Sequence, residues 1–294
     1  MKHAHLGLVA ACVLTLLVSI AQANSYELWS VGYAEAEITP APRQVQMSGF
    51  GRERYADGML APLLTQAVAV QDRAGCTAVL ITADVLDFDR IMVEAIRRSI
   101  RRKHGIAAEN VMLAASHTHW GPAIRFRMSF SLGAPNVWYM GQVEDAILAN
   151  VDAALTDLSP ATIEYGWIDC REIGCNRRRP VDGEITWAPY REGSFDGHTP
   201  ILSIRRDAAP QQLLVVGHAC HPTSSGRIRK WSPDYPGAMR DYLVRKLPNT
   251  KALFVQGCGG DAKIVHEEPA ETGRPVFSAD PNRARAAGEK RRTR

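Results

Sequence analysis

The chain is predicted to adopt an α/β fold: a layered, mixed β-sheet core flanked by helices, with a cleft at the carboxyl ends of strands. Three observations lead there. Apolar runs of strand length alternate with segments of helical periodicity, the pattern of strands and helices that share one core. Hydrophobic residues make up 46% of the 294 positions, too many for a disordered chain. Ionisable or glycine-rich sequence follows several of the apolar runs, and open α/β sheets bind ligands beyond the carboxyl ends of their strands.

Met1-Lys2, the apolar run from Leu6 to Ile20 and Ala21-Gln22-Ala23 have the layout of an export signal with an A-x-A cleavage site. Residues 1–23 are expected to be removed, the mature chain to start near Asn24, and the protein to be periplasmic or secreted. The apolar run is short for a membrane span, and no later stretch is a better one. Val31 to Ile38 alternates as an antiparallel or edge strand does. Thr77 to Ala83 is a continuous apolar strand ending at Asp84. Asp89 to His104 reads as a helix, with Met92, Val93, Ile96 and Ile100 at helical spacing and Gly105 as its stop. Val111 to Ala115 is the next strand. Gln142 to Leu158 is a second helix, with Val143, Ile147, Val151 and Leu155 on one face. Asp169 to Gly197 is polar and turn-rich, and strands follow at Ile201 to Ile204, Leu213 to Val216 and Ala252 to Val255. A helix is expected from Asp234 to Lys246.

The net charge of +4 is unevenly placed. Arg283 to Arg294 hold six basic residues and one acid, so the remainder is close to neutral. The basic balance belongs to the tail and does not mark a nucleic-acid partner. Six cysteines are present, with Cys12 in the signal. The five others are too sparse for a disulfide scaffold. A Cys170–Cys175 bridge and buried free thiols both remain open.

The stretch Ser116-His117-Thr118-His119-Trp120-Gly121-Pro122 follows directly on an apolar strand. Residues i and i+2 of a strand share a face, so both imidazoles can aim into one space while Gly121-Pro122 turns the backbone away. Convergent neutral imidazoles suit a metal ion. The alternative is two hydrogen-bonded or solvated polar residues at a strand end. A second cluster, His218-Ala219-Cys220-His221-Pro222, follows another strand. His221 is the candidate third ligand, because Pro222 sets a turn there. His218 can instead pack within the strand, and Cys220 can replace a histidine as ligand. Three histidines and one open position fit hydrolytic zinc, which lowers the pKa of bound water.

Asp84 and Asp261 are candidate acceptors that would orient a ligating ring, or else caps and turn residues. Arg125 and Arg127 can stabilise an oxyanion or a polar head group, or lie on the surface. The turn Gln256-Gly257-Cys258-Gly259-Gly260-Asp261 can offer backbone N–H donors from Gly257 onward, or simply turn tightly. No G-x-S-x-G, H-E-x-x-H, Walker or G-x-G-x-x-G motif is present, which argues against the commonest serine hydrolases, zincins and nucleotide binders. His266-Glu267-Glu268 lacks a second histidine at the needed spacing.

Taken in order, these segments resemble the neutral/alkaline ceramidase family. Glu37-Ile38-Thr39-Pro40 is similar to its D-I-T-x opening, Met47-Ser48-Gly49-Phe50-Gly51 to M-x-G-[YF]-G, and Ile81-Thr82-Ala83-Asp84 to V-S-A-D. Ser116 to Pro122 is similar to T-H-T-H-S-G-P, Asn176-Arg177-Arg178 to an N-R motif, and His221-Pro222-Thr223-Ser224 to H-G-T-S. Ser232 to Gly237 stands in place of S-x-D-x-x-G, and Gly260-Asp261 matches the start of G-D-V-S-P. The similarity runs from about Val31 to Gly288, so residues 24–288 are expected to form the catalytic domain and 289–294 a basic tail.

The resemblance implies a zinc-dependent amidase that hydrolyses N-acylsphingosine to sphingosine and fatty acid. It also implies His117, His119 and His221 as zinc ligands. Trp120 and Gly257 would then contact substrate, and Arg125 and Asp261 would serve the reaction. Four departures stand out. Lys263 occupies the position of the G-D-V-S-P serine, and Trp120 that of a small serine. The glutamate and tyrosine that the family also places near its metal lie further toward the C-terminus, as does its immunoglobulin-like domain. The chain is read as a C-terminally truncated or frame-shifted member. Its partner would be a lipid-like or small-molecule amide. The alternatives are a related metallohydrolase of another amide or ester, and a non-catalytic exported metal- or glycan-binding protein.

Overall fold

The computed structural model describes residues 29–50, 54–126, 133–226, 228–267 and 275–277. The expected signal peptide, Arg127 and the basic tail lie outside the described residues. The chain runs β1 (Trp29–Glu37), β2 (Gly58–Met59), β3 (Leu64–Gln71), β4 (Thr77–Ala83), α1 (Arg90–His104), β5 (Val111–Ala115), α2 (Val137–Thr156), β6 (Ser159–Asp169), β7 (Gly174–Val181), β8 (Glu184–Tyr190), β9 (His198–Arg206), β10 (Gln212–His218), β11 (Lys230–Trp231), α3 (Asp234–Lys246), β12 (Thr250–Gln256), β13 (Ala262–Glu267) and β14 (Pro275–Phe277).

Eight strands form one mixed sheet in the order β12-β10-β9-β6-β1-β3-β4-β5. Only β4–β5 and β10–β12 pair in parallel, and the remaining pairs are antiparallel. Strand β1 is antiparallel as expected, but interior: it pairs with β3 along its length and with β6 at its start. Gly32 makes this position workable. A β-carbon there would lie 1.7 Å from the Ala154 carbonyl oxygen, so α2 can lie directly on β1 only because none is present.

Alternation along the strands divides the core. Val31, Tyr33, Val68, Ala161, Ile204, Leu213, Val215 and Leu253 form one cluster, each at the same phase of its strand. The sheet curls around this face until β12 packs against β4 and β5. Gln66 Nε2 donates to the Ala252 carbonyl across that closure at 3.1 Å, and Lys251 pairs with Glu35. On the other face, Ala67, Ala69, Val79 and Ile81 pack with Ile96 and Ile100 of α1 and Val143, Ile147 and Val151 of α2. Leu214, Val216, Ala252 and Phe254 pack instead with Tyr235 and Met239 of α3.

Helix α1 has the predicted ends. Asp89 Oδ1 caps it by accepting from Ile91 N at 2.8 Å, and Gly105, at φ 72°, closes it. Helix α2 starts earlier than its apolar stripe suggests, at an Asn136 cap. The turn-rich stretch contains a hairpin, β7–β8, inside a second sheet ordered β14-β13-β7-β8. Asp182 and Gly183, both at positive φ, form its two-residue turn, an Asp-Gly hairpin signal in plain view in the sequence. Cys170 and Cys175 are buried and unbridged, so the Cys170–Cys175 bridge is not formed. No helix among the described residues is long and apolar enough to cross a membrane.

Candidate metal centre

The two histidine clusters meet. His117 and His119 leave β5, His221 leaves β10, and one ring nitrogen of each lies within 4.8 Å of the others. The His117 and His221 rings stand perpendicular with centroids 4.5 Å apart. The Nε2 atoms of His119 and His221 are 3.0 Å apart. The strand face expected to align His117 with His119 is not the cause, since β5 ends at Ala115. His117 instead adopts φ 64°, a left-handed conformation that a β-carbon disfavours. That turn is held by His117 N donating to Val85 O at 3.0 Å and by Thr118 Oγ1 donating to Ser232 O at 2.6 Å.

Two of the rings have fixed tautomers. His117 Nδ1 faces the Leu86 carbonyl at 2.7 Å and His221 Nδ1 the Gly259 carbonyl at 3.1 Å. A carbonyl only accepts, so both Nδ1 atoms carry the proton and each Nε2 keeps a lone pair, that of His221 facing His119 Nε2. His119 differs: its Nδ1 is buried with no hydrogen-bond partner among the described residues. Burial pushes its pKa down to about 2, helped by His221, His117, Arg54 and Arg177. His221 is pushed down to about 3, by burial first and then by Arg177. Neutral imidazoles are the form a metal requires.

The other expected site residues are placed differently. Asp84 is buried with its carboxylate on Arg240, and its Oδ2 also accepts from Leu64 N at 2.9 Å. It anchors α3 to the end of β4, and main-chain carbonyls orient the histidines in its stead. Trp120 is fully buried in the core beneath the site, so it offers no surface to a substrate. Gly257 N donates to His218 O at 2.9 Å and Gly259 N to Gly257 O at 2.7 Å, so these N–H groups are spent inside the turn. The turn's contribution is the Gly259 carbonyl on His221. Arg125 is ion-paired with Asp87, whose carboxylate is pushed above its ordinary pKa by burial, with Arg125 opposing that shift. Asp261 accepts from Arg177 N on its backbone oxygen at 2.8 Å, and its carboxylate favours the charged form of that arginine, which burial disfavours. His218 is buried with Nδ1 on Thr199 Oγ1 at 2.7 Å, and Cys220 lies in the core.

Four residues near the centre were not singled out for it by spacing. Arg177 grips the Gly260 carbonyl through Nε (3.1 Å) and Nη2 (2.7 Å), and its guanidinium lies 4.0 Å from the centre of the Trp187 ring. Its charge reaches both His119 and His221. Arg54 holds the carbonyls around His119. Asp87 fixes Arg125. Lys263 pairs across β7 with Cys175 and bridges to His221, and burial lowers its pKa. Arg177, within the N-R motif, and Lys263, at the position of the G-D-V-S-P serine, had a sequence signal beyond residue type.

A profile of the neutral/alkaline non-lysosomal ceramidase N-terminal region matches residues 29–225. The neutral ceramidase of Pseudomonas aeruginosa is 27% identical over 212 residues, which are 69% of this chain and 31% of that protein. A crystal structure of P. aeruginosa neutral ceramidase superposes with a TM-score of 0.75 at 21% identity, over 90% of this chain and 43% of the other. A ceramidase complexed with C2 gives 0.73 at 21% identity, over 89% and 42%. The chain thus spans about a third of the curated relative's length and less than half of each solved chain, and the solved chains share its fold. With a profile match covering most of its length, this chain belongs to the neutral/alkaline non-lysosomal ceramidase family.

Proposed function

We propose that this exported chain carries the metal-binding part of a zinc-dependent amidase that cleaves N-acylsphingosine into sphingosine and a fatty acid. The observation that carries the reading is the convergence of three histidine ring nitrogens within 4.8 Å of one another. The donor set fits zinc. His117 and His221 present Nε2 lone pairs oriented by carbonyls, and the 3.0 Å between His119 and His221 Nε2 approaches the roughly 3.3 Å of two nitrogens on one tetrahedral zinc at the usual bond lengths. Zinc held there would act as a Lewis acid and lower the pKa of a bound water. The chain's own residues do the rest. Burial keeps His119 and His221 uncharged. Arg177, fixed by Gly260 and Trp187, places a cation beside them, where it would stabilise negative charge developing on an amide oxygen.

A second reading, hydrolysis of another amide or an ester, is favoured by one feature. Lys263 bridges through its backbone to His221, and its charge acts on that ring, where the family pattern has a serine. The test is fatty-acid release from N-acylsphingosine by the zinc-loaded chain, compared with N-acyl amino acids and esters. Turnover that vanishes in His117→Ala and falls about 100-fold in Arg177→Met is expected. Turnover of the comparison substrates alone would select the second reading. Zinc binding without turnover of any of them would overturn the hydrolase reading.

A further inference from the structure

We infer that Arg54 is a positioning residue that sets the orientation of the His119 ring through Phe50 and Gly49. The inference rests on the reading that the three histidines form the working site. His117 and His221 are oriented by hydrogen bonds from Nδ1 to carbonyls. His119 has no such acceptor among the described residues; its Nε2 meets His221 Nε2 at 3.0 Å, and packing holds the Nδ1 side of the ring. Gly49 lies against the Nδ1 edge, where a β-carbon would be 2.5 Å from that nitrogen. The Phe50 ring covers His119 at a centroid distance of 4.9 Å and meets Trp120 edge-on at 5.1 Å.

Neither contact is held by secondary structure. Gly49 and Phe50 both adopt positive φ, 86° and 61°, and Phe50 is half-exposed. At Phe50, which unlike Gly49 carries a β-carbon, such a conformation persists only where its surroundings enforce it. Arg54 supplies the enforcement. Its Nη2 donates to Ser48 O at 2.8 Å, to Gly49 O at 3.4 Å and to His119 O at 2.8 Å, so one guanidinium ties the covering segment to the backbone of the residue it covers. The same guanidinium sits 4.8 Å from the Phe50 ring centre, a cation–π contact that holds the ring down. A lysine keeps the charge but loses the planar fork.

The test is side-chain nitrogen NMR of the full metal-free chain with labelled histidine, for wild type, Arg54→Lys and Phe50→Leu. Wild type is expected to show His119 as a single Nε2-protonated tautomer donating to His221 Nε2. In both variants His119 should become a mixture of tautomers, while His117 and His221 keep their Nδ1 protons. If Arg54→Lys fails to fold, Phe50→Leu reads the same coupling. A His119 signal unchanged in the folded variants overturns the inference, and so does a change of all three rings together, which would mark general loosening. The readout needs neither metal nor turnover, so it fails separately from the amidase reading.

Discussion

His117 and His221 donate Nδ1–H hydrogen bonds to the Leu86 and Gly259 carbonyls, whereas His119 Nδ1 has no hydrogen-bond partner among the described residues. Partners of this kind fix ring orientation and ligand basicity, typically worth 10- to 100-fold in metal affinity. His119 is therefore the weakest of the three donors. His119→Gln is expected to retain a zinc site with affinity reduced by roughly 10- to 100-fold, measured by competition with a chromophoric chelator. A complete loss of binding, equal to that of His117→Ala, would contradict this ranking. The three histidines were legible because residue type and position after apolar strands are local facts. Trp120 and Gly257 misled for a physical reason. Exposure and free N–H groups depend on what distant segments bring: the core beneath Trp120, the His218 carbonyl above Gly257. Arg54 and Asp87 carried no local signal, since their partners become neighbours only in the fold.

Among the elements, the β4–α1 and β5–α2 connections work as one unit. Asp89 caps α1 with one oxygen and accepts from Phe126 N with the other at 3.0 Å, and Asp87 pairs with Arg125. Asp89→Ala should cost more than an ordinary cap, for which about 1 kcal/mol is typical, and chemical denaturation measures it. A loss no greater than that would mean the bond to Phe126 contributes nothing.

Strands β1 and β12 are joined by Glu35 and Lys251. Burial opposes ionisation of Glu35, but Lys251, Tyr33 and Gln66 outweigh it and hold its pKa below the ordinary value. A lowered folded-state pKa stabilises the protein above the unfolded carboxylate's pKa, and that stabilisation is lost as the pH falls through the folded value. The pair is partly solvated, so about 1 kcal/mol is expected. Glu35→Gln should be less stable than wild type at neutral pH, with the gap closing as the pH falls through the lowered pKa of Glu35. A gap independent of pH would remove the charge from the explanation. Helix α1 was legible to its caps because Asp89 and Gly105 act locally. The β7–β8 hairpin was missed because its Asp182-Gly183 turn is flanked by arginines and glutamate instead of an apolar alternation.

At the scale of the molecule, the sheet's curl brings strands far apart in sequence together. The mixed character of the sheet was legible from apolar runs and intervening helices. The curl was not, because its contacts, Gln66 with Ala252 and Glu35 with Lys251, are separated by 186 and 216 positions. The same long-range closure carries Arg240 to Asp84. It thereby seats α3, at whose start Asp234 Oδ2 accepts from Ser224 N at 2.9 Å and Ser225 N at 2.7 Å, just beyond His221. The histidine cluster is thus a product of the whole fold: two loops brought together by strand pairing.

The most direct test is the zinc content of the purified chain beside His117→Ala and His221→Ala, with all three shown to unfold cooperatively. About one zinc per wild-type chain, lost in both variants, is the result predicted for a site built from both loops. A cooperatively folded wild type that binds no zinc, or variants that keep it, would contradict the account.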